Sequence, residues 1–221
     1  MFDFLDGYDL LGAFWVTVQL TVYSALGSLI WGTLLAGMKV SPVPLLRGFA
    51  TSYVNVVRNI PLTVIMVFSS LGLFSTLNIK LGASDFTDIN FRLAVLALIA
   101  YTSAFVCEAL RSGINTVPVG QAEAARALGL SFTQVLRLIV LPQAFRAVVN
   151  PLSNVLIALT KNTTVASAIG VAEASYLMKG MIEKEAQLIL ISAVFAFGFI
   201  VLTLPTGLVL GWVSKKVAVK R

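Results

Sequence analysis

Five long apolar blocks, separated by short polar connections, organise this chain. A helix crossing the hydrocarbon core of a bilayer needs about 20 mostly apolar residues. The blocks at residues 10–38, 53–77, 91–110, 139–160 and 186–213 each have that length. The first is interrupted only by small or neutral polar residues such as Thr17, Gln19 and Ser24. The second carries Arg58, Asn59 and Pro61 in its first part, and the third ends at Glu108 and Arg111. The fourth is less hydrophobic, and a mixed segment over 161–185 separates it from the fifth. No internal repeat or low-complexity stretch is visible. The pattern predicts an all-α membrane protein, one domain over 1–221 with five transmembrane helices.

Residues 116–138 depart from spanning character. Pro118 suits the first turn of a helix, where a missing N–H costs little. Ala122, Ala124, Ala125, Ala127 and Leu128 favour helix, and Gly129 suits its C-terminal cap. Ser131 with Gln134 reads as a capping box opening a second helix. Pro142 is expected to end or bend that helix at the preceding residue. The expectation is a short helix, a glycine joint and a second helix.

Composition narrows the class. Only 12% of residues are charged and 58% are hydrophobic, with a mean hydropathy of +0.92. A soluble domain carries about 25% charged residues, so much of this surface faces lipid. The net charge of +6 does not indicate nucleic acid, because the basic residues lie in loops between spans. Lys39, Arg47, Arg58, Arg111, Arg126, Arg137, Arg146, Lys215, Lys216, Lys220 and Arg221 fall on one side, eleven in all. Lys80, Arg92, Lys161, Lys179 and Lys184 make five on the other. The richer side is expected to be cytoplasmic, which puts the N-terminus outside and the C-terminus and the 116–138 loop inside. Asp3, Asp6 and Asp9 precede the first span without a Lys or Arg, unlike the basic start of a cleaved signal.

Chemistry by this chain is not expected. The single cysteine, Cys107, and the absence of histidine leave no disulfide framework, metal spacing or imidazole base. No phosphate-cradling G-x-x-x-x-G-K-[ST] is present, so nucleotide energy must come from a partner. Ionisable groups inside spans are costly and functional by default. Arg58 with Asn59 and Thr63, beside Pro61, reads either as a group snorkelling to headgroups or as part of a pathway. Lys161, Asn162, Thr163 and Thr164 read either as an interfacial anchor or as a pathway segment able to meet a carboxylate. Glu108 and Arg111 suit an ion pair on one helix face. Asn150 and Asn154 lie one turn apart, as interhelical hydrogen bonds or pore lining. Gly27, Gly32 and Gly37 suit close helix packing.

Glu123-Ala124-Ala125, three residues, Gly129, nine residues, and Ile139-x-Leu141-Pro142 resemble the EAA loop of ABC importer permeases. Residues 53–62, with Arg-x-x-Pro-Leu, and residues 101–114 and 159–169 resemble segments of the polar amino-acid branch (histidine, glutamate, glutamine, arginine and opine). The likeness covers nearly the whole chain. It implies a type I ABC importer permease architecture, five spans with a cytoplasmic coupling helix. Glu123, Ala124, Ala125, Arg126, Leu128 and Gly129 would then grip an ATP-binding cassette ATPase dimer, which binds ATP and Mg, so no cofactor is expected in this chain. Further partners would be a second permease subunit, homologous or identical, and an extracytoplasmic substrate-binding protein. Arg58 and Lys161 give a cationic pathway, which fits glutamate or aspartate on charge grounds. Glutamine or another polar amino acid remains open, and a self-sufficient secondary transporter is the more distant alternative.

Overall fold

The computed structural model describes residues 7–217, and every regular element among them is helical. Asp3, Asp6, Lys220 and Arg221 lie outside the described residues. Helix α1, Leu10–Lys39, is capped by Asp9, whose carboxylate accepts from Gly12 N at 2.8 Å. Helix α2, Pro44–Asn59, starts on its own proline. Helix α3, Leu62–Val67, widens into a π-helix over Phe68–Thr76. Helix α4, Phe86–Ile114, begins at an Asp85 cap. Helix α5, Val119–Ala127, and helix α6, Phe132–Val135, follow. A π-turn over Leu136–Val140 leads into α7, Leu141–Asn162, and a 3₁₀ stretch over Thr163–Ile169. Helices α8, Ala174–Glu185, and α9, Leu188–Val217, complete the chain.

Four courses are long and apolar enough to cross a membrane: Leu10–Lys39, Phe86–Ile114, Phe132–Ile169 and Leu188–Val209. The pair Pro44–Asn59 and Leu62–Thr76, bent by 104°, makes a fifth when its two helices are counted as one course. The sequence pattern suggests one helix over 53–77; the chain instead starts helix nine residues earlier and breaks at Ile60. The cause is Pro61, which lacks an N–H and forces the residue before it out of the helical region. Ile60 is extended, at φ −98° and ψ 133°. Pro142 behaves in the opposite way. It sits in the first turn of α7, and the preceding π-turn absorbs it, so helix runs on from Phe132 to Ile169.

The core is a parallel pair. Tyr23, Gly27 and Gly32 of α1 meet Phe91, Ile99 and Val106 of α4 in the same order. A Cβ on Gly32 would stand 2.6 Å from Val106 Cβ and 2.8 Å from the Ser103 carbonyl oxygen, so the bare Cα is what lets these helices touch. Gly37, grouped with these positions by spacing, has nothing within 4 Å of such a Cβ. Gly113 plays the same part between α4 and α7, where a Cβ would stand 2.9 Å from the Ala144 carbonyl oxygen. Buried Leu20, Leu62, Met66, Leu98, Leu159 and Ile169 then join α1, α3, α4, α7 and the 3₁₀ stretch. The Tyr53 hydroxyl donates to Ala100 O at 2.8 Å and fastens α2 to α4.

Helix α8 is stapled to this core by a buried carboxyl. Glu173 is fully buried, and its oxygens accept from Ser175 N and Tyr176 N, each at 2.9 Å. Ala174 N donates to Thr17 Oγ1 at 3.2 Å, tying the α8 cap to α1. Burial pushes the Glu173 carboxyl up to about 7, against the two N–H bonds that favour its ionised form.

Two outcomes are expected. Gly32→Leu, which must force α1 from α4, should cost about 1–3 kcal/mol, while Gly37→Leu should be near neutral; thermal unfolding of the purified protein distinguishes them. For Glu173, the folded state holds the proton more tightly than the unfolded chain, whose ordinary value is 4.5. Its contribution is therefore complete below 4.5 and is lost as pH rises through about 7. The melting temperature should fall across that window, and Glu173→Gln should flatten the fall.

Candidate functional site

Helices α4 and α7 enclose a cleft of about 380 Å³, within the usual range for small-molecule sites. Tyr101, Thr102 and Phe105 line it from α4, and Asn154, Ala158 and Asn162 from α7. The α7 residues recur every four positions and so share one helix face. The lining is mostly apolar, with two hydroxyls, two amides and no charge. Thr102 is 2% exposed, and its hydroxyl has no hydrogen-bond partner. A buried hydroxyl without a partner costs about 1–3 kcal/mol, and this one is covered by its neighbours rather than open to the cleft.

The residues singled out by sequence are distributed around this cleft rather than gathered in it. Asn162 lines it. Thr163 is buried beside it, donating to Thr160 O at 2.7 Å, and Thr164 donates to Lys161 O at 2.8 Å. Lys161 itself is exposed. Thr63 borders a different, apolar groove with Val67 and Phe68. Asn59 donates to Asn55 O at 2.6 Å on an exposed part of α2. Arg58 reaches the cleft only through Phe105, with its guanidinium carbon 5.5 Å from that ring's centroid. Sequence reasoning missed Tyr101 and Thr102. The stripe Asn154–Ala158–Asn162 was the available signal, because it puts two amides on one face of an otherwise apolar span.

Arg58 belongs to an ion cluster around Glu108. Lys39 Nζ bonds Glu108 Oε1; Arg111 Nη2 lies 3.0 Å and Arg58 Nη1 3.7 Å from Oε2. The Glu108–Arg111 pair expected from spacing is present, joined by cations from α1 and α2. Among the described residues, Glu108 is the sole carboxylate paired with a Lys or Arg.

At the same end of the bundle, α5 projects as a closed unit. Leu130 N bonds Ala125 O at 3.2 Å and Gly129 N bonds Arg126 O at 2.9 Å, with Gly129 at φ +85°. These are the two bonds of a Schellman cap, which needs a left-handed residue where Gly129 stands. The Ser131–Gln134 box is reciprocal, at 2.8 and 3.4 Å. Gln143 Nε2 donates to Gln121 Oε1 at 2.7 Å and moors α5 to α7. Ala125 is buried against the body of the protein, while Glu123, Ala124, Arg126, Leu128 and Gly129 face outward. Leu128 is 84% exposed and Phe132, stacked by Arg126 at 5.8 Å, is also exposed. An apolar tip left uncovered on a polar loop marks an interaction surface.

This multi-pass helical bundle, with a capped helix projecting at one end, has the architecture of a type I ABC importer permease. A crystal structure of an amino acid ABC transporter with histidines superposes with a TM-score of 0.83 at 27% identity, covering 94% of this chain and 93% of that one. The MetNI methionine ABC transporter, in an inward-facing form, shares the fold with a TM-score of 0.77 at 18% identity over 95% of this chain and 96% of that chain. Residues 28–219 match the family described as binding-protein-dependent transport system inner membrane component, and the chain belongs to that family. It is a multi-pass inner-membrane permease. It is 59% identical to the glutamate transport system permease protein GluC of Corynebacterium efficiens, over 97% of this chain and 96% of that protein. It is 31% identical to the glutamate/aspartate import permease protein GltK of Escherichia coli O6:H1, over 92% and 91%.

Thr102→Val keeps the side-chain shape and removes the orphan hydroxyl. It should raise the stability of the substrate-free protein by about 1 kcal/mol, read as an upward shift in thermal unfolding.

Proposed function

We propose that this chain is the transmembrane subunit of an ATP-driven glutamate importer, itself without catalytic groups or cofactor. Two copies, identical or homologous, line one pathway. A partner ATPase dimer holds ATP and Mg, and an extracytoplasmic binding protein delivers the substrate. The Lys and Arg imbalance puts the N-terminus outside and α5 in the cytoplasm. Glu123, Ala124, Ala125, Arg126, Leu128 and Gly129 engage the ATPase. Asn162, Thr163, Thr164 and Lys161, with Arg58, Asn59 and Thr63 on the broken span, border the route of the amino acid.

One observation carries the transport reading: an uncharged cleft inside a lipid-facing bundle, apolar for the most part, with Tyr101 and Thr102 on one helix and Asn154 and Asn162 on the other. Glutamate is supported by the near full-length likeness to GluC, and by Lys161 as an exposed cation next to Asn162 of the cleft. The neutral lining of the cleft favours a second reading, glutamine. The test is uptake of labelled glutamate into vesicles holding the permease with its ATPase and binding protein. Uptake should need ATP and be competed by unlabelled glutamate far better than by glutamine or arginine. Gly129→Trp, strained at φ +85°, should lower it at least about tenfold. Uptake without the ATPase, or equal competition by glutamine, overturns the reading as stated.

A further inference from the structure

Three helices end on one carboxylate. Lys39, Arg58 and Arg111 each occupy the last turn of their helix, α1, α2 and α4, and all three point at Glu108. Three cations around one anion suggest an anion-binding site, but the helix ends argue against it. The carbonyl end of a helix carries roughly half a negative charge, so three such ends offset about one and a half of the surplus positive charges. The cluster is close to neutral and has little charge left for a ligand. Its position points to mechanics.

On one side, α4 runs into α5 through only residues 115–118, and that turn is tightly bonded. Asn115 N bonds Arg111 O at 3.1 Å, Thr116 N bonds Gly113 O at 3.2 Å, its hydroxyl bonds the same oxygen at 2.6 Å, and Val117 N bonds Ile114 O at 3.2 Å. A displacement of α5 therefore reaches the end of α4 without slack. On the other side, Arg58 lies two residues before the extended Ile60 and three before Pro61, where the broken span bends by 104°. Beyond the bend, Leu62 and Met66 of α3 sit in the core with Leu98 of α4. We propose that Glu108 is the pin that transmits movement of α5 to the Ile60–Pro61 hinge, through its ion pair with Arg58 and with Lys39 holding α1 in the same joint. Glu108 is a positioning residue: it touches no substrate and acts through the hinge. The proposal rests on the coupling role of α5 argued above.

The test uses the full complex of permease, ATPase and binding protein in vesicles, with ATP hydrolysis and uptake read on the same preparation at saturating substrate. Glu108→Gln should lower uptake per ATP hydrolysed by about tenfold, within the range of roughly 5–150-fold typical of coupling between sites, while the complex still assembles and hydrolyses ATP. Arg58→Gln should do the same. The double variant should fall no further than the worse single one, because both act on one path, and Glu108→Asp should restore the ratio. A pathway role for Arg58 would instead raise the substrate concentration needed for half-maximal uptake and leave the saturated ratio alone. An unchanged ratio in Glu108→Gln and Arg58→Gln overturns the proposal. So does an uptake loss matched by loss of the bound ATPase. If Glu108→Gln fails to assemble, Arg58→Gln decides, since that side chain is 44% exposed. A wild-type complex that carries another amino acid overturns the substrate reading alone, since the ratio can be measured with that amino acid.

Discussion

Hydrocarbon offers no partner to a backbone N–H or carbonyl, and the whole architecture follows from that constraint. Each irregularity in a span is repaired inside the protein. At the Pro61 break, Val64 N and Ile65 N both reach the Pro61 carbonyl, at 3.0 and 3.3 Å. Where helix widens, over Phe68–Thr76 and Leu136–Val140, turns change pitch instead of opening. Many hydroxyls in the spans obey the same rule by bonding back one turn, as Thr17 does to Ala13 O, Ser153 to Val149 O and Thr206 to Leu202 O. Against that background the partnerless Ser24 and Thr102 hydroxyls stand out, and Thr102 is a residue that lines the cleft.

The two buried or half-buried carboxyls show two solutions to one problem. Glu108 has three cations, one from each of three helix ends, so the mostly covered carboxylate and Lys39 ammonium are compensated inside the protein while the two arginines stay partly in solvent. Glu173 has no ion pair among the described residues and relies on two backbone N–H groups at the start of α8, with its affinity for a proton raised by burial. One carboxyl joins α1, α2 and α4 near the end that bears α5; the other joins α1 and α8 at the opposite end. Between them lie the glycine-mediated contact of α1 with α4 and the cleft between α4 and α7.

Much of this was legible along the chain. Run length gave the all-α membrane class and the five-span plan, because the thickness of the bilayer sets a length that a sequence either supplies or lacks. The α5 unit was legible to the residue, since Gly129 and the Ser131–Gln134 box act on their own neighbours and need no tertiary context. The Glu108–Arg111 pair was legible from its helical spacing. Helix α2 was under-read: Arg47, Ser52 and Asn55 on its outer face dilute the apolar run, although Ala50 and Val54 on the other face are buried.

What the sequence determined by itself, then, is whatever depends on local bonding and on total apolar length. What only the tertiary structure decided is which polar groups meet. That Pro61 bends its span while Pro142 is carried through depends on whether the turn before each proline can widen. That Lys39 and Arg58 converge on Glu108, and that Thr102, Asn154 and Asn162 line one cleft, depends on how far α1, α2 and α7 can approach α4. That approach is set by side-chain volume at Gly27, Gly32 and Gly113, contacts between positions far apart in the chain, on which periodicity within one helix carries no information.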